Sequence, residues 1–189
     1  STTVKITSPG TVITAQFALN EYSVQKSISG NGVVTMPDSV VYGELVEITA
    51  APSTGYHFAV WRAVSGEVLF ADSSASLTTM RVVKGSAVVL AVFAKNVYTI
   101  SYRGNSATDG TEPQIKQFSI GDTLILGTAG TLTKSGYTFT GWNSTADGTG
   151  SGYHAGDTVI ADTVNIVLYA QWTINQYKVT FNSQSGSAV

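Results

Sequence analysis

The chain has 189 residues, of which 43% are hydrophobic and only 12% charged, with a formal net charge of −2. This is apolar enough for a packed core and too apolar for a disordered chain, at a length that suits one large domain or two small ones. There is no cysteine, which excludes disulfide frameworks, thiolate nucleophiles and cysteine–zinc sites, and the basic residues are scattered singly, so no run of them could displace counterions from nucleic acid.

Taken in order, the elements are strands. The stretch 1–20 carries two of them, separated by Ser8-Pro9-Gly10. YSVQKSI at 22–28 alternates large residues with small or polar ones, as a half-buried strand does. Gly30-Asn31-Gly32 reads as a tight turn, since glycine takes positive φ without penalty. LVEITA at 45–50 follows the Gly43-Glu44 turn. TTMRVV at 78–83 and GSAVVLAVF at 85–93 read as two strands parted by a turn at Lys84-Gly85. Within them the apolar run Ala87–Ala94 is far short of the ~20 residues a membrane helix needs, and a strand buried on both faces is the expectation. YTISYR at 98–103 and TLILG at 123–127 are further strands, with a short helical turn the alternative over 125–134. No window shows a capped 3.6-residue apolar period.

The sequence repeats itself. Residues 2–24 align without a gap on residues 78–100, so that Thr2 meets Thr78, Phe17 meets Phe93, Asn20 meets Asn96 and Tyr22 meets Tyr98. A third copy sets Ala170, Trp172, Asn175 and Tyr177 on Ala91, Phe93, Asn96 and Tyr98. Between these anchors GYHFAVW (55–61) and GYTFTGW (136–142) spell one pattern twice. The expected organisation is therefore 1–20 as the last strands of a preceding repeat, 21–96 and 97–175 as two complete repeats, and 176–189 as the first strand of a following one. On this reading the parent chain continues in both directions. Unpaired strand edges invite pairing, so the end segments are expected to add to a sheet, within or between molecules. The alternative is that 1–17 packs as part of the first repeat.

Recurrence of the aromatic pattern at fixed spacing favours core packing over a platform for sugar rings. Side chains alternate along a strand, so Trp142 and Trp61 fall on the face opposite Phe139 and Phe58 unless a bulge brings them back. Gly141 favours such a bulge, whereas Val60 at the matching place does not.

YTISYRGNSATDGTEP, GYTFTGWN and LYAQW, in that order across 98–172, resemble the internalin B-repeat, also called the Listeria–Bacteroides repeat. Residues 22–93 resemble a divergent bacterial surface repeat of the same kind, through Gly30, Gly32, Val34, Tyr42-Gly43-Glu44, Gly55-Tyr56, Phe58 and Trp61. The resemblance implies a mainly β fold of tandem, small, β-grasp-like domains with the helix reduced or absent. It also implies a non-catalytic stalk, spacer or adhesive segment of a bacterial surface protein, located at the cell surface, in the cell wall or outside the cell. The alternative is a module that binds a host or cell-wall glycan or protein, centred on Trp142, Tyr153 and His154. No catalytic, cofactor or metal residue is carried over.

The residues themselves add little chemistry. His57 and His154 lie in different repeats, with no partner at ligand spacing. Asp147 and Asp157 flank a glycine-rich loop that lacks the alternating acids of a calcium site, so turn formation is their expected role. Asn143-Ser144-Thr145 fits a glycosylation triplet but is common by chance.

Overall fold

The computed structural model describes Lys5, residues 7–181 and Gly186. Parts of the two end segments, residues 1–4, 6, 182–185 and 187–189, lie outside the described residues. Among the described residues all regular structure is strand, which settles 125–134 as non-helical. The chain folds as two compact units. One comprises the residues up to Ser53 with Phe58–Ala94, the other Thr54–His57 with the residues from Lys95 onward.

The first unit holds β1 (Glu21–Ser29), β2 (Gly32–Thr35), β3 (Ser39–Val41), β4 (Val46–Pro52), β5 (Tyr56–Phe70) and β6 (Leu77–Lys95). They form one sheet in the order β2-β4-β6-β1-β3, with β5 also paired to β6. β1 runs parallel to β6, with Val24 opposite Ala87 and Ile28 opposite Ala91.

Two expectations change here. The turn at Lys84-Gly85 is absent, because β6 is a single strand that runs through it. Its first half pairs with β4 (Val46 opposite Met80) and its second half with β1. Gly85 sits where the partners change, and its φ of 68° kinks the strand without ending it. The run Ala87–Ala94 is buried on one face only: Ala87, Val89, Ala91 and Phe93 are buried, while Val88, Leu90, Val92 and Ala94 are half-covered because no layer closes the other face.

The chain does turn at Gly30-Asn31-Gly32, yet β1 and β2 are not sheet neighbours, since β2 pairs with β4. Gly30 takes the positive φ the turn needs, 86°, and the glycines also make room for Phe93: a Cβ on Gly32 would overlap the tip of the Phe93 ring.

The second unit holds β7 (Tyr98–Arg103), β8 (Lys116–Phe118), β9 (Thr123–Ile125), β10 (Tyr137–Asn143), β11 (Gly152–Tyr153), β12 (Thr158–Ile160) and β13 (Ile166–Ile174). Its sheet has the order β11-β10-β13-β7-β8, with a separate β9–β12 pair. The first and last strands of this unit are again parallel neighbours, Ile100 opposite Ile166 and Tyr102 opposite Leu168. By the repeat alignment Ile100 matches Val24 and Ile166 matches Ala87, so the two units share one register at their centres. The core gathers Ile100, Tyr102, Phe118, Leu126, Trp142 and Leu168 beneath the β9–β12 pair.

Residues 11–20 and 175–181 form no strand in this structure. Val12, Phe17 and Phe181 are 86%, 95% and 92% exposed. Their internal equivalents are strands because partners flank them: Leu77–Lys95 has β1, β4 and β5 alongside, and among the described residues no strand flanks 11–20.

Candidate functional site

The repeated aromatic motif forms the same cluster in each unit. Trp61 and Trp142 are 2% and 1% exposed. Phe58 packs on Trp61 with ring centres 5.2 Å apart, and Phe139 on Trp142 at 5.1 Å. Each indole N–H donates to a backbone carbonyl, Trp61 to Ala75 at 3.0 Å and Trp142 to Gly127 at 2.8 Å. A buried indole needs such a partner.

The bulge that Gly141 favours is present in β10, where the pairing with β13 shifts between Phe139 and Gly141. Gly141 has φ 144°, and a side chain there would overlap the carbonyl of Tyr153. In the first unit Trp61 reaches Phe58's side of the strand with Val60 in place of a glycine. Tyr137 stands apart from this cluster: it is on the rim, with the Lys134 ammonium 4.4 Å from its ring centre.

Buried indoles cannot offer a stacking face, so Trp142 is no sugar platform. Beside it Tyr153, opposite Trp142 on β11, is half-buried and His154 is exposed, around a shallow depression of about 270 Å³. The His154 imidazole stands 3.8 Å from the Asp157 carboxylate, and Asp157 accepts the His154 backbone N–H at 2.7 Å. That is a turn closure, as expected for Gly156-Asp157. His57 lies elsewhere, with its Nδ1 2.8 Å from the Asn96 side-chain oxygen.

Asp147 accepts the backbone N–H and the hydroxyl of Thr149, at 3.1 and 2.8 Å. Hydrogen bonding from Thr145 first, then Thr149, holds its carboxyl below the usual aspartate range. Asp72 in the first unit is lowered in the same way by the Ser74 hydroxyl and N–H. Among the described residues no three His, Asp or Glu side chains gather as a metal site.

Asn143 is the residue whose role the triplet hid. It is 5% exposed, and its amide donates to the carbonyls of Gly148 and Gly150 while its oxygen accepts from the N–H and hydroxyl of Thr145. All its hydrogen-bonding capacity is used inside the 143–150 loop, which leaves no amide for a glycan.

A second amide recurs at the end of each copy. Asn96 N–H donates to Gly55 O and Asn175 N–H to Gly136 O, both at 2.8 Å. The Asn175 oxygen accepts from the Thr138 hydroxyl at 2.6 Å, and each Asn amide nitrogen reaches a tyrosine hydroxyl two residues on. The glycine that opens GYxFxxW is thus tied to the asparagine that ends the last strand.

One recess in the second unit is a groove of about 390 Å³ lined by Ser144, Tyr153, Val159, Ile166, Leu168 and Tyr169. It offers no pair of acids and no nucleophile beside a base.

The aromatic clusters, the junction asparagines and the parallel first and last strands therefore describe one unit built twice. Residues 22–97 match the family described as the divergent InlB B-repeat domain, and residues 98–171 match the Listeria–Bacteroides repeat domain. The chain belongs to the B-repeat family. Two relatives from Evansella cellulosilytica resemble it: one named "Putative Gly-rich membrane protein", 35% identical over 72% of this chain, and one named "Putative membrane protein", 28% identical over 89%. The chain spans only 16% and 25% of those proteins' lengths. Among the described residues of these B-repeats no helix is long and apolar enough to cross a membrane.

Proposed function

We propose that these B-repeats are non-catalytic, extracellular segments of a bacterial surface protein that act as a stalk or spacer, in a chain that carries further repeats on either side. The observation that carries this reading is the duplication itself. The largest side chain of the motif, one tryptophan per unit, is buried in both copies with its indole hydrogen bond satisfied, so it serves the scaffold rather than any chemistry. Names given to the relatives place those proteins at a membrane, which supports a surface location. The parallel pairing of first and last strands at the centre of each sheet supports the β-grasp-like description.

Small-angle scattering of this chain beside longer native arrays tests the spacer. A rod that lengthens by a constant increment per repeat is expected, and a compact particle whose length does not grow would sink the idea.

A further inference from the structure

The bend at Gly30-Asn31-Gly32 holds the only Asn-Gly pair in the chain. An asparagine side chain is open to attack by the main-chain nitrogen of the residue that follows it, and glycine, with no Cβ, obstructs that approach least. The first unit leaves this pair reactive in the folded state. Asn31 is exposed and lies in the bend between β1 and β2, outside both strands. Its backbone carbonyl accepts the Ser53 N–H at 3.1 Å. That bond makes Asn31 the hydrogen-bonded residue of the antiparallel pairing, so at Gly32, opposite Pro52, the N–H points away from β4. β2 is the edge strand of its sheet, and no neighbouring strand receives that N–H.

The side chain is poised in the same sense. The Asn31 Oδ1 accepts the Ser53 hydroxyl at 3.1 Å, which draws electron density from Cγ, the carbon to be attacked. Other asparagines have their amide nitrogens engaged. Those of Asn105 and Asn143 each donate to two backbone carbonyls, and those of Asn96 and Asn175 reach tyrosine hydroxyls. Nor can the glycine be exchanged to protect Asn31, because a Cβ on Gly32 would overlap the Phe93 ring. Core packing therefore imposes the one neighbour that makes the adjacent amide labile.

We propose that Asn31 is a site of spontaneous, enzyme-independent modification, in which its side-chain amide is lost through a succinimide formed with Gly32. The Gly32 nitrogen gives its proton to solvent base and attacks Asn31 Cγ. A new N–Cγ bond closes the ring as the Cγ–Nδ2 bond breaks, and the amide nitrogen leaves as ammonia. Water then opens the ring. Attack at Cγ restores the original main chain with aspartate at 31, and attack at the backbone carbonyl yields isoaspartate, whose main chain runs through Cβ and Cγ. Either product adds a negative charge to the sheet edge. The isoaspartate form also lengthens the main chain by a methylene immediately before Gly32, which loosens the fit of that glycine against Phe93.

The test incubates the intact chain in warm, mildly alkaline buffer beside a synthetic peptide of residues 27–36 as the unfolded reference, and follows both by peptide mass spectrometry. Only local rotation at an exposed bend is needed, so Asn31 in the chain is expected to convert within about tenfold of the peptide rate. A reaction that required unfolding would be slowed by the unfolding equilibrium, by about 10³ or more. A chain slower than the tenfold limit would overturn the proposal, as would conversion at Asn105 or Asn143 ahead of Asn31. Asn31→Gln, whose longer side chain must close a larger ring, is expected to stay unmodified, and an equal mass gain in its peptide would also overturn it. Anion exchange then separates the products. The isoaspartate form is expected to unfold at lower urea than Asn31→Asp, which carries the same charge on an unaltered main chain; equal midpoints would refute the link to the Phe93 contact.

Discussion

Truncating Trp142 distinguishes scaffold from binding site most sharply. Its indole is 1% exposed, lies 4.6 Å from the Tyr102 ring centre and 5.1 Å from that of Phe139, and donates to Gly127 O. Trp142→Ala removes those contacts and leaves a cavity, a change that costs about 3–5 kcal/mol in well-packed cores. A domain of this size has only about 4–11 kcal/mol to lose, at ~0.05–0.15 kcal/mol per residue. The variant should therefore bring the second unit close to unfolding while the first keeps its own transition. Trp142→Phe retains most of the packing but strands the Gly127 carbonyl without its donor, which costs about 1–3 kcal/mol. Urea denaturation followed by far-ultraviolet circular dichroism and tryptophan emission resolves both. A Trp142→Ala chain that unfolds within about 1 kcal/mol of wild type would refute the scaffold argument, and more so if it lost binding to a polysaccharide.

Three further outcomes are expected. Gly32→Ala pushes a methyl into the Phe93 ring and should destabilise the first unit by about 1–3 kcal/mol; adding Phe93→Leu should recover part of that loss, which a double-mutant cycle in urea would detect as coupling. Asn143→Ala deletes an amide that holds Gly148, Gly150 and Thr145, so the second unit should lose about 2–3 kcal/mol and its 143–150 amides should exchange faster. The lowered carboxyls of Asp72 and Asp147 stabilise the folded state above the unfolded aspartate range, and that contribution is lost as pH falls through and below it. Acid unfolding should accordingly become less pH-dependent in Asp72→Asn and Asp147→Asn, and an unchanged acid limb would contradict the hydrogen-bond origin of the shifts.

Much of the fold was legible because its signals are local or repeated. Alternation gave most of the strands, and Gly141 between Phe139 and Trp142 favoured a bulge that the ladder contains. The aligned anchors Phe93 and Trp172 also revealed that one unit is built twice. What escaped depends on partners distant in sequence. Lys84-Gly85 has the composition of a turn, yet β1 and β4 on either side make β6 continuous through it. Gly32 looked like turn chemistry, and only the position of the Phe93 ring shows why it carries no side chain. Asn143 was read as part of a triplet, although the small residues Ser144, Thr145, Gly148 and Gly150 around it are those of a loop folded about an amide.

The parallel pairing of first and last strands bears on how a unit meets tension. Pulling on the start of β7 and the end of β13 drags two side-by-side strands past each other along their own axes. The ladder from Ile100–Ile166 to Arg103–Tyr169 is then loaded in shear, so its bonds share the force and fail together instead of opening one by one. β1 and β6 place six pairs under the same load in the first unit. A domain wired this way holds its length under drag until it gives abruptly, which is the mechanical behaviour a tether exposed to flow requires.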